Sequence, residues 1–494
     1  MSKVLEEQSS FRQIMKSTSI LGGVQIICIL VSIIRSKIIA VLVGTTGYGI
    51  LGLLNSTVGL MTSLTNFGLG TIAVKNVAAA CTRNDRNEIS KVFTIIQKLV
   101  ILTGLFGTVV TILLSRVLSE LTFGNNDYTY LFVLLSISLL LTQLNVGQII
   151  LLQGTRNIKY LAKATLWGSL CGLLVSTPLY YYFRLNGIVP SIILSSVVTL
   201  TFSYYYANKI IIPTINVSFK KAFCEGRDIL SLGFMLSLSF MISQASSYVI
   251  RAYISHVGSL EEVGLYTAGF AIISSYVGLI FSAMATDFYP KLSGICGNIM
   301  QATRVINQQV EITVLILAPI LILFIAFAKF GVTLLYSDQF VSINGMLQWA
   351  ALGMFFKAAS FPIAYIFLAK GDSKRFLINE TIANSYFLLL TIFGYKYAGL
   401  DGVGFSFLIG YFLYFLQVCV ISRMKYHYKI SKSCITILFF QFFLSIICFV
   451  SIIFLPLNFS YIIKISLILV VSTISIVELN KRLNILDYIA NYNK

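Results

Sequence analysis

Apolar runs long enough to cross a bilayer recur from one end of the chain to the other, and nothing else in it limits the fold so tightly. A helix needs roughly 20 apolar residues to span the hydrocarbon core. Runs of that kind lie at 17–43, 48–78, 91–116, 129–152, 161–183 and 188–212, then at 229–256, 263–290, 305–328, 343–369, 376–395, 403–424, 433–456 and 460–478. The reading is an all-α integral membrane protein of about 14 transmembrane helices. Twelve is the competing count, because 433–456 and 460–478 are joined by a short turn. Hydrophobic residues make up 57% of the chain and charged residues 11%, against roughly 25% charged in a soluble domain. No soluble core absorbs that much apolar surface, since a larger soluble chain needs more polar skin as well.

The net charge of +18 would suggest nucleic acid in a soluble protein. Its distribution suggests a membrane orientation. With the N-terminus cytoplasmic, 25 of the 36 Lys and Arg residues fall in cytoplasmic loops and tails, and only Arg116, Arg184, Lys329 and Lys396 on the other side. Basic residues gather on the cytoplasmic side of membrane proteins, so both termini are expected inside. The first seventeen residues are polar and no small-residue cleavage site follows the run from Ile20, so no cleaved signal peptide is expected. Eight cysteines form no C-x-x-C pair and lie mostly in apolar runs, and His256 and His427 are far apart. The cysteines read as small buried hydrophobes rather than disulfides or metal ligands, and no cofactor is expected.

Corresponding features recur about 216 residues apart. Arg35 and Arg251 both lie near the outer ends of their spans, and Lys75 and Lys291 both close the spans that follow. The glycines of Leu152-Gln153-Gly154-Thr155-Arg156 and Ala369-Lys370-Gly371-Asp372-Ser373 are 217 apart, and Leu185-Asn186-Gly187-Ile188 matches Leu400-Asp401-Gly402-Val403 at 215. A repeat of six helices enters the membrane with the same polarity each time, which makes it a parallel repeat about an axis along the membrane normal. The expected organisation is a six-helix lobe at 1–212, a cytoplasmic linker at 213–228 and a second six-helix lobe at 229–424. Two extra helices and a tail follow at 433–494. Two such lobes can enclose a central cavity and rock to open it to either side.

The stretch Ser10-Phe11-Arg12-Gln13-Ile14-Met15-Lys16-Ser17-Thr18 with Gly22-Gly23 resembles the opening of polysaccharide flippases. So does Arg35-Ser36-Lys37-Ile38-Ile39-Ala40-Val41-Leu42-Val43-Gly44 followed by Gly47-Tyr48-Gly49. These are the O-antigen and enterobacterial-type translocases of the multidrug/oligosaccharidyl-lipid/polysaccharide exporter superfamily. The resemblance is strongest over 10–90, and the six-plus-six-plus-two layout extends it to the whole chain. It implies a bacterial inner-membrane protein moving undecaprenyl-pyrophosphate-linked oligosaccharide, such as an O-antigen repeat unit of lipopolysaccharide, from the cytoplasmic to the periplasmic leaflet. Membrane lipids and the polymerase and chain-length regulator of the same pathway are the partners it implies. In some branches the two extra helices form a groove for the lipid tail.

The charges within the spans bear on the substrate independently. A charge at a helix centre costs roughly 2.5–3.5 kcal/mol on insertion scales and is kept only with a partner or a wet cavity. Cations dominate the deep positions: Arg35, Arg251 and Lys357, with Lys75 nearer the cytoplasm. A cationic cavity suits a pyrophosphate, which guanidinium forks bind through paired hydrogen bonds. These four are the candidate substrate-binding residues. The plainer alternative is that the arginines reach to the outer interface, as Lys37 and Lys464 are expected to do. Asp287 and Glu311 are candidates for proton or sodium coupling, or else partners of cytoplasmic loop cations. No catalytic constellation, Walker motif or large external loop is visible. A transporter is therefore expected rather than an enzyme such as a polymerase or ligase. A lipid II flippase and a cation-coupled multidrug exporter are the rival transport readings. The exporter would want a carboxylate deep in spans one to six, and none lies there.

Overall fold

A computed structural model of the chain describes residues 2–82, 86–210 and 217–483. The side chains of 2–21 and of some positions inside later helices, Asp287 among them, lie outside the described residues. Among the described residues nine helices are long and apolar enough to cross a membrane. Three of these run to 44, 50 and 54 residues, more than twice the length of one crossing. Each is broken by a turn that makes it two spans. α1 (Ser2–Thr65) breaks at Gly44, with φ 69 and ψ −170. α6 (Ile158–Phe183) and α7 (Ile188–Ala207) are joined by the 3₁₀ turn Arg184–Gly187. α13 (Ser373–Tyr426) breaks at Ala398 and Gly399. The seventh and eighth apolar runs form α8 (Phe219–Val257) and a helix running through α9 (Leu260–Ala271), a π-helical stretch Ile272–Val277 and α10 (Gly278–Ile295). Counted this way the helices make the fourteen spans of a multi-pass membrane protein.

The remaining elements are α2 (Leu69–Thr82), α3 (Arg86–Leu113), α4 (Ser115–Phe123) and α5 (Thr129–Gly154), then α11 (Ile299–Leu335), α12 (Asn344–Ala369), α14 (Lys432–Phe454) and α15 (Leu457–Leu483). The chain forms two compact units, Met1–Gly264 and Leu265–Lys494. In the first, α8 packs along α1, α2, α3 and α4. In the second, α12 is covered nearly all round, with buried residues from Met346 to Phe367, and it packs on α11, α13 and α14. A helix apolar on every face belongs at the centre of a bundle.

Backbone geometry repeats at one offset. Arg184 (φ 47, ψ −118) and Gly399 (φ 57, ψ −140) close equivalent turns 215 residues apart. Arg156 (φ 55) and Gly371 (φ 70) do so at the same spacing. Gly371 therefore stands with Arg156 and not with Gly154. The glycine match at 217 misleads because the first copy puts an arginine in the left-handed conformation, where only glycine is free of steric cost.

Two close approaches shape the first unit. The start of the second span crosses α9 with its backbone almost touching. A Cβ on Gly49 would lie 1.9 Å from the Leu260 carbonyl oxygen, and one on Gly264 would lie 1.9 Å from that of Thr45. The contact is reciprocal, and its equivalent members, Gly49 with Gly264 and Thr45 with Leu260, are each 215 apart, so it has local two-fold symmetry. Small residues four apart let membrane helices approach this closely. Further along, the second span is interrupted between Thr65 and Leu69, where Phe67 (φ 48) and Gly68 (φ 63) leave the helix. There Gly68 rests on α8: a Cβ on it would lie 2.1 Å from the Gly233 carbonyl oxygen. The Phe67 ring packs between Phe106 and Phe234, at centroid distances of 6.4 and 6.1 Å.

Candidate functional site

In the first unit the expected cations take different surroundings. Arg35, on α1 before the Gly44 break, is half-buried and its Nη2 donates to the Ser195 hydroxyl on α7 at 2.7 Å. A guanidinium bonded to a neutral hydroxyl keeps its full charge and most of its five donors. Arg251, on α8, donates from Nη1 to the Ser247 carbonyl at 3.0 Å and to the Ser247 hydroxyl. Both are one turn back on its own helix. Lys75 is exposed on α2. Lys98, on α3, donates to the Val217 carbonyl.

A cavity of about 350 Å³ opens between α2, α3 and α8, lined by Asn76, Glu88, Lys91 and Glu225 over an apolar floor, and Lys75 is not among its lining residues. Lys91 and Glu225 are ion-paired at 2.9 Å across α3 and α8. Where the second span is interrupted, Gln143 on α5 donates to Asn66 Oδ1 and to the Thr103 hydroxyl, both at 2.9 Å. The backbone at the break is bonded within its own span, Asn66 N–H to the Thr62 carbonyl at 2.9 Å and Leu69 N–H to the Asn66 carbonyl at 3.1 Å.

In the second unit Lys357 lies on α12 with its ammonium 5.5 Å from the Phe281 ring centre and 5.2 Å from that of Tyr411. Among the described residues no carboxylate pairs with it. Ring faces attract a desolvated cation but leave its three N–H donors unfilled. Tyr411 packs edge-on to Tyr414 at 6.3 Å. The Tyr414 hydroxyl donates to Glu380 Oε1 at 2.6 Å, and Asn379 Nδ2 donates to the same oxygen at 3.3 Å. Gln417 in turn holds Asn379 Oδ1 at 2.8 Å. A cation and a carboxylate thus stand at the two ends of a tyrosine pair, the carboxylate held by neutral donors alone among the described contacts.

Glu311 is engaged elsewhere. On α11 it accepts from Arg482 Nε at 2.7 Å and from the Ser431 hydroxyl at 3.4 Å. Arg482 also pairs with Glu478. One turn before Glu311, Asn307 Oδ1 accepts from the Tyr428 hydroxyl at 2.8 Å and the Ser431 backbone N–H at 3.2 Å. These bonds fasten the start of α14 and the end of α15 to α11. The side chain of Asp287 lies outside the described residues.

Two residues escaped the reading of the sequence. Glu380 is not among the acids singled out there, and the signal that could have found it is Tyr414 and Gln417, three apart on one face of the next span. Lys464, expected to reach the outer interface, is turned inward and is 8% exposed.

Residues 38–344 match a protein family described as "Polysaccharide biosynthesis protein". The lipid III flippases of Escherichia coli (strain K12) and Shigella flexneri are each 22% identical over 396 residues, spanning 78% of this chain and 92% of their own. Among solved structures, the lipid II flippase MurJ in an inward closed conformation superposes with a TM-score of 0.69 at 15% identity, over 95% of this chain and 99% of that one. A multidrug resistance MATE family transporter of the MOP superfamily, inward-facing, gives 0.67 at 18% identity over 81% and 94%. At these identities the likeness is one of fold.

Proposed function

The chain belongs to the polysaccharide biosynthesis protein family, matched over residues 38–344, and from that premise we propose that it flips undecaprenyl-pyrophosphate-linked oligosaccharide, an O-antigen repeat unit or a relative of it, between the leaflets of the bacterial inner membrane. Transport runs from the cytoplasmic to the periplasmic leaflet by alternating access, with both termini cytoplasmic. The observation that carries the reading is Lys357, a membrane-embedded ammonium flanked by the Phe281 and Tyr411 rings with no carboxylate among its described contacts. A transporter of cationic drugs gains nothing from such a group. A carrier of pyrophosphate gains a charge-assisted partner. On the first unit, Arg35, Arg251 and Lys75 are the further candidates for contact with the pyrophosphate. Proton or cation coupling falls to Glu380 rather than Glu311, because Glu311 is occupied by Arg482. The polymerase and chain-length regulator of the pathway are the partners downstream.

The test is a deletion strain with and without the gene supplied back, scored for long-chain surface polysaccharide and for extracted undecaprenyl-linked oligosaccharide. Loss of polysaccharide with intact units trapped on the cytoplasmic side, both reversed by complementation, is the expected result. Normal polysaccharide without accumulation would overturn the proposal and move the reading to lipid II or to drug export.

A further inference from the structure

The face of α12 that carries Lys357 is the face its neighbours leave open. From Ala350 to Phe367 every side chain of α12 is buried except Lys357, Phe361 and Tyr365. Successive members are four apart, so they form one stripe along the helix. The stripe starts at the middle of α12 and runs about 12 Å toward the end at Ala369, at 1.5 Å per residue. Lys357 excludes an opening onto lipid, because a charged side chain at that depth faces the bundle interior or a water-filled cavity. Phe361 and Tyr365 share its line and therefore its water.

Side chains of α10 hold these rings in place. Phe281, 4% exposed, stands between the Lys357 ammonium at 5.5 Å and the Phe361 ring at 5.0 Å. Phe288, seven residues on and 3% exposed, packs edge-on to Tyr365 at 6.0 Å. Phe361 and Tyr365 are themselves edge to face at 4.9 Å. Tyr289, 40% exposed, extends the row at 5.7 Å from Tyr365. Phe281 and Phe288 are thus a buried backing, and Phe361, Tyr365 and Tyr289 are the rings presented.

The face of an aromatic ring is negative and attracts partly positive groups. A partner for this row must also tolerate water and must carry an anion at its Lys357 end. A sugar attached to a pyrophosphate meets all three demands. One side of a sugar ring is a patch of C–H groups with partial positive charge, and its rim of hydroxyls stays hydrated. None of the three presented side chains is an amide or a carboxylate that would read those hydroxyls, so the contact holds a sugar without fixing it to one place. A lipid tail has no use for the water, and a cationic drug is repelled by Lys357.

We propose that Phe361, Tyr365 and Tyr289 form a stacking track for the sugars next to the pyrophosphate, the pyrophosphate at Lys357 and the oligosaccharide running toward the Ala369 end of α12. The track rests on the transport reading above and adds to it the place of the sugar.

The experiment is native mass spectrometry of the full-length protein in detergent, titrated separately with undecaprenyl pyrophosphate and undecaprenyl-pyrophosphoryl-N-acetylglucosamine. Wild type is expected to hold the sugar-bearing lipid about two- to tenfold more tightly, the scale of one ring contact. Phe361→Leu, Tyr365→Leu and Tyr289→Leu should each reduce that preference, and the triple variant should bring it close to one. Tyr365→Phe keeps the ring and should keep the preference, which separates stacking from a hydrogen bond to the tyrosine hydroxyl. Lys357→Met should weaken both lipids and leave their ratio standing. A wild-type ratio of one, which needs no variant to measure, would overturn the track and spare the transport reading. So would a ratio that survives the triple variant. Failure of wild type to hold either lipid, or Lys357→Met holding both as tightly as wild type, would instead overturn the pyrophosphate reading and the track with it.

Discussion

Gly264→Ala tests the reciprocal crossing at the start of the second span. The added methyl would meet the Thr45 carbonyl oxygen at 1.9 Å and the Gly49 nitrogen at 2.9 Å, where ordinary contact begins at 3.4 Å. Both obstacles are backbone, so no rotamer change relieves them and the helices must part by roughly 1.5 Å. Overpacking of that kind costs about 1–3 kcal/mol, to which lost Cα–H···O contacts add about 0.5–1 kcal/mol each. Gly49→Ala meets the Leu260 carbonyl at the same 1.9 Å and is expected to cost as much. Because both changes wedge one contact, the double variant should cost little more than either single one, a departure from additivity that distant sites do not show. Gly172→Ala is the control: its nearest neighbour is Ser195 Cβ at 3.9 Å, and a helical Gly→Ala change with room is expected to gain about 0.5–1 kcal/mol. The assay is thermal unfolding of the purified protein in one detergent, followed by tryptophan fluorescence and by loss of the monodisperse gel-filtration peak. A Gly264→Ala midpoint equal to wild type, or single losses that simply add, would refute the crossing.

Other outcomes follow from the same contacts. Arg184→Gly relieves a left-handed arginine (φ 47) and should raise the thermal midpoint, by the equivalent of about 1–2 kcal/mol; a lowered midpoint would mean that the arginine side chain outweighs its backbone strain. Lys357→Met should leave protein abundance unchanged and lower transport about tenfold or more, the scale of one charge-assisted hydrogen bond. Arg35→Ala and Arg251→Ala should each lower transport as well, and unchanged transport in both singles and the double would remove them from the substrate path. Glu311→Gln should cost about 1–2 kcal/mol, since the pair is only partly shielded (side chains 13% and 24% exposed) and Arg482 retains Glu478. Limited proteolysis after Tyr426 should quicken if that clamp is real. Asp372 caps α13 in the loop before it, accepting from the Arg375 backbone N–H at 3.3 Å and the Tyr426 hydroxyl at 2.9 Å. Partial burial pushes its carboxyl up, but the bonds from Tyr426 and Arg375 outweigh that and hold it below the usual carboxylate range. A lowered folded value stabilises above the unfolded one, about 3.9, so its contribution should be constant from pH 5 to 8 and fade only as the pH falls below about 4. Melting curves of wild type and Asp372→Asn across that range check it.

Span number and the existence of a repeat are legible in the sequence because apolar length and loop chemistry are local properties. The register of the repeat is less so. Arg156 and Arg184 adopt the conformations that Gly371 and Gly399 mark openly, and an arginine carries no sign of a positive φ. Glu380 meets Tyr414 across 34 residues of sequence, a pairing set by how the two halves of α13 fold back on each other. The inward turn of Lys464 is hidden for another reason. On a helix whose lipid-facing and protein-facing sides are both apolar, the pattern of hydrophobicity does not say which side is which. Residue type placed the cations in the membrane, and only packing told which of them had partners.

The interruption at Asn66–Gly68 has a mechanical meaning. The second span is two rods meeting at a joint three residues long, rather than one lever. The first rod is clasped to α9 through Gly49 and Gly264, and the second, α2, rides on α8 where Gly68 meets Gly233. A continuous helix would force any tilt at one end onto the other. With the joint, α2 and the cavity it lines can swing while the clasp stays shut, so the two ends of this span can be worked in turn.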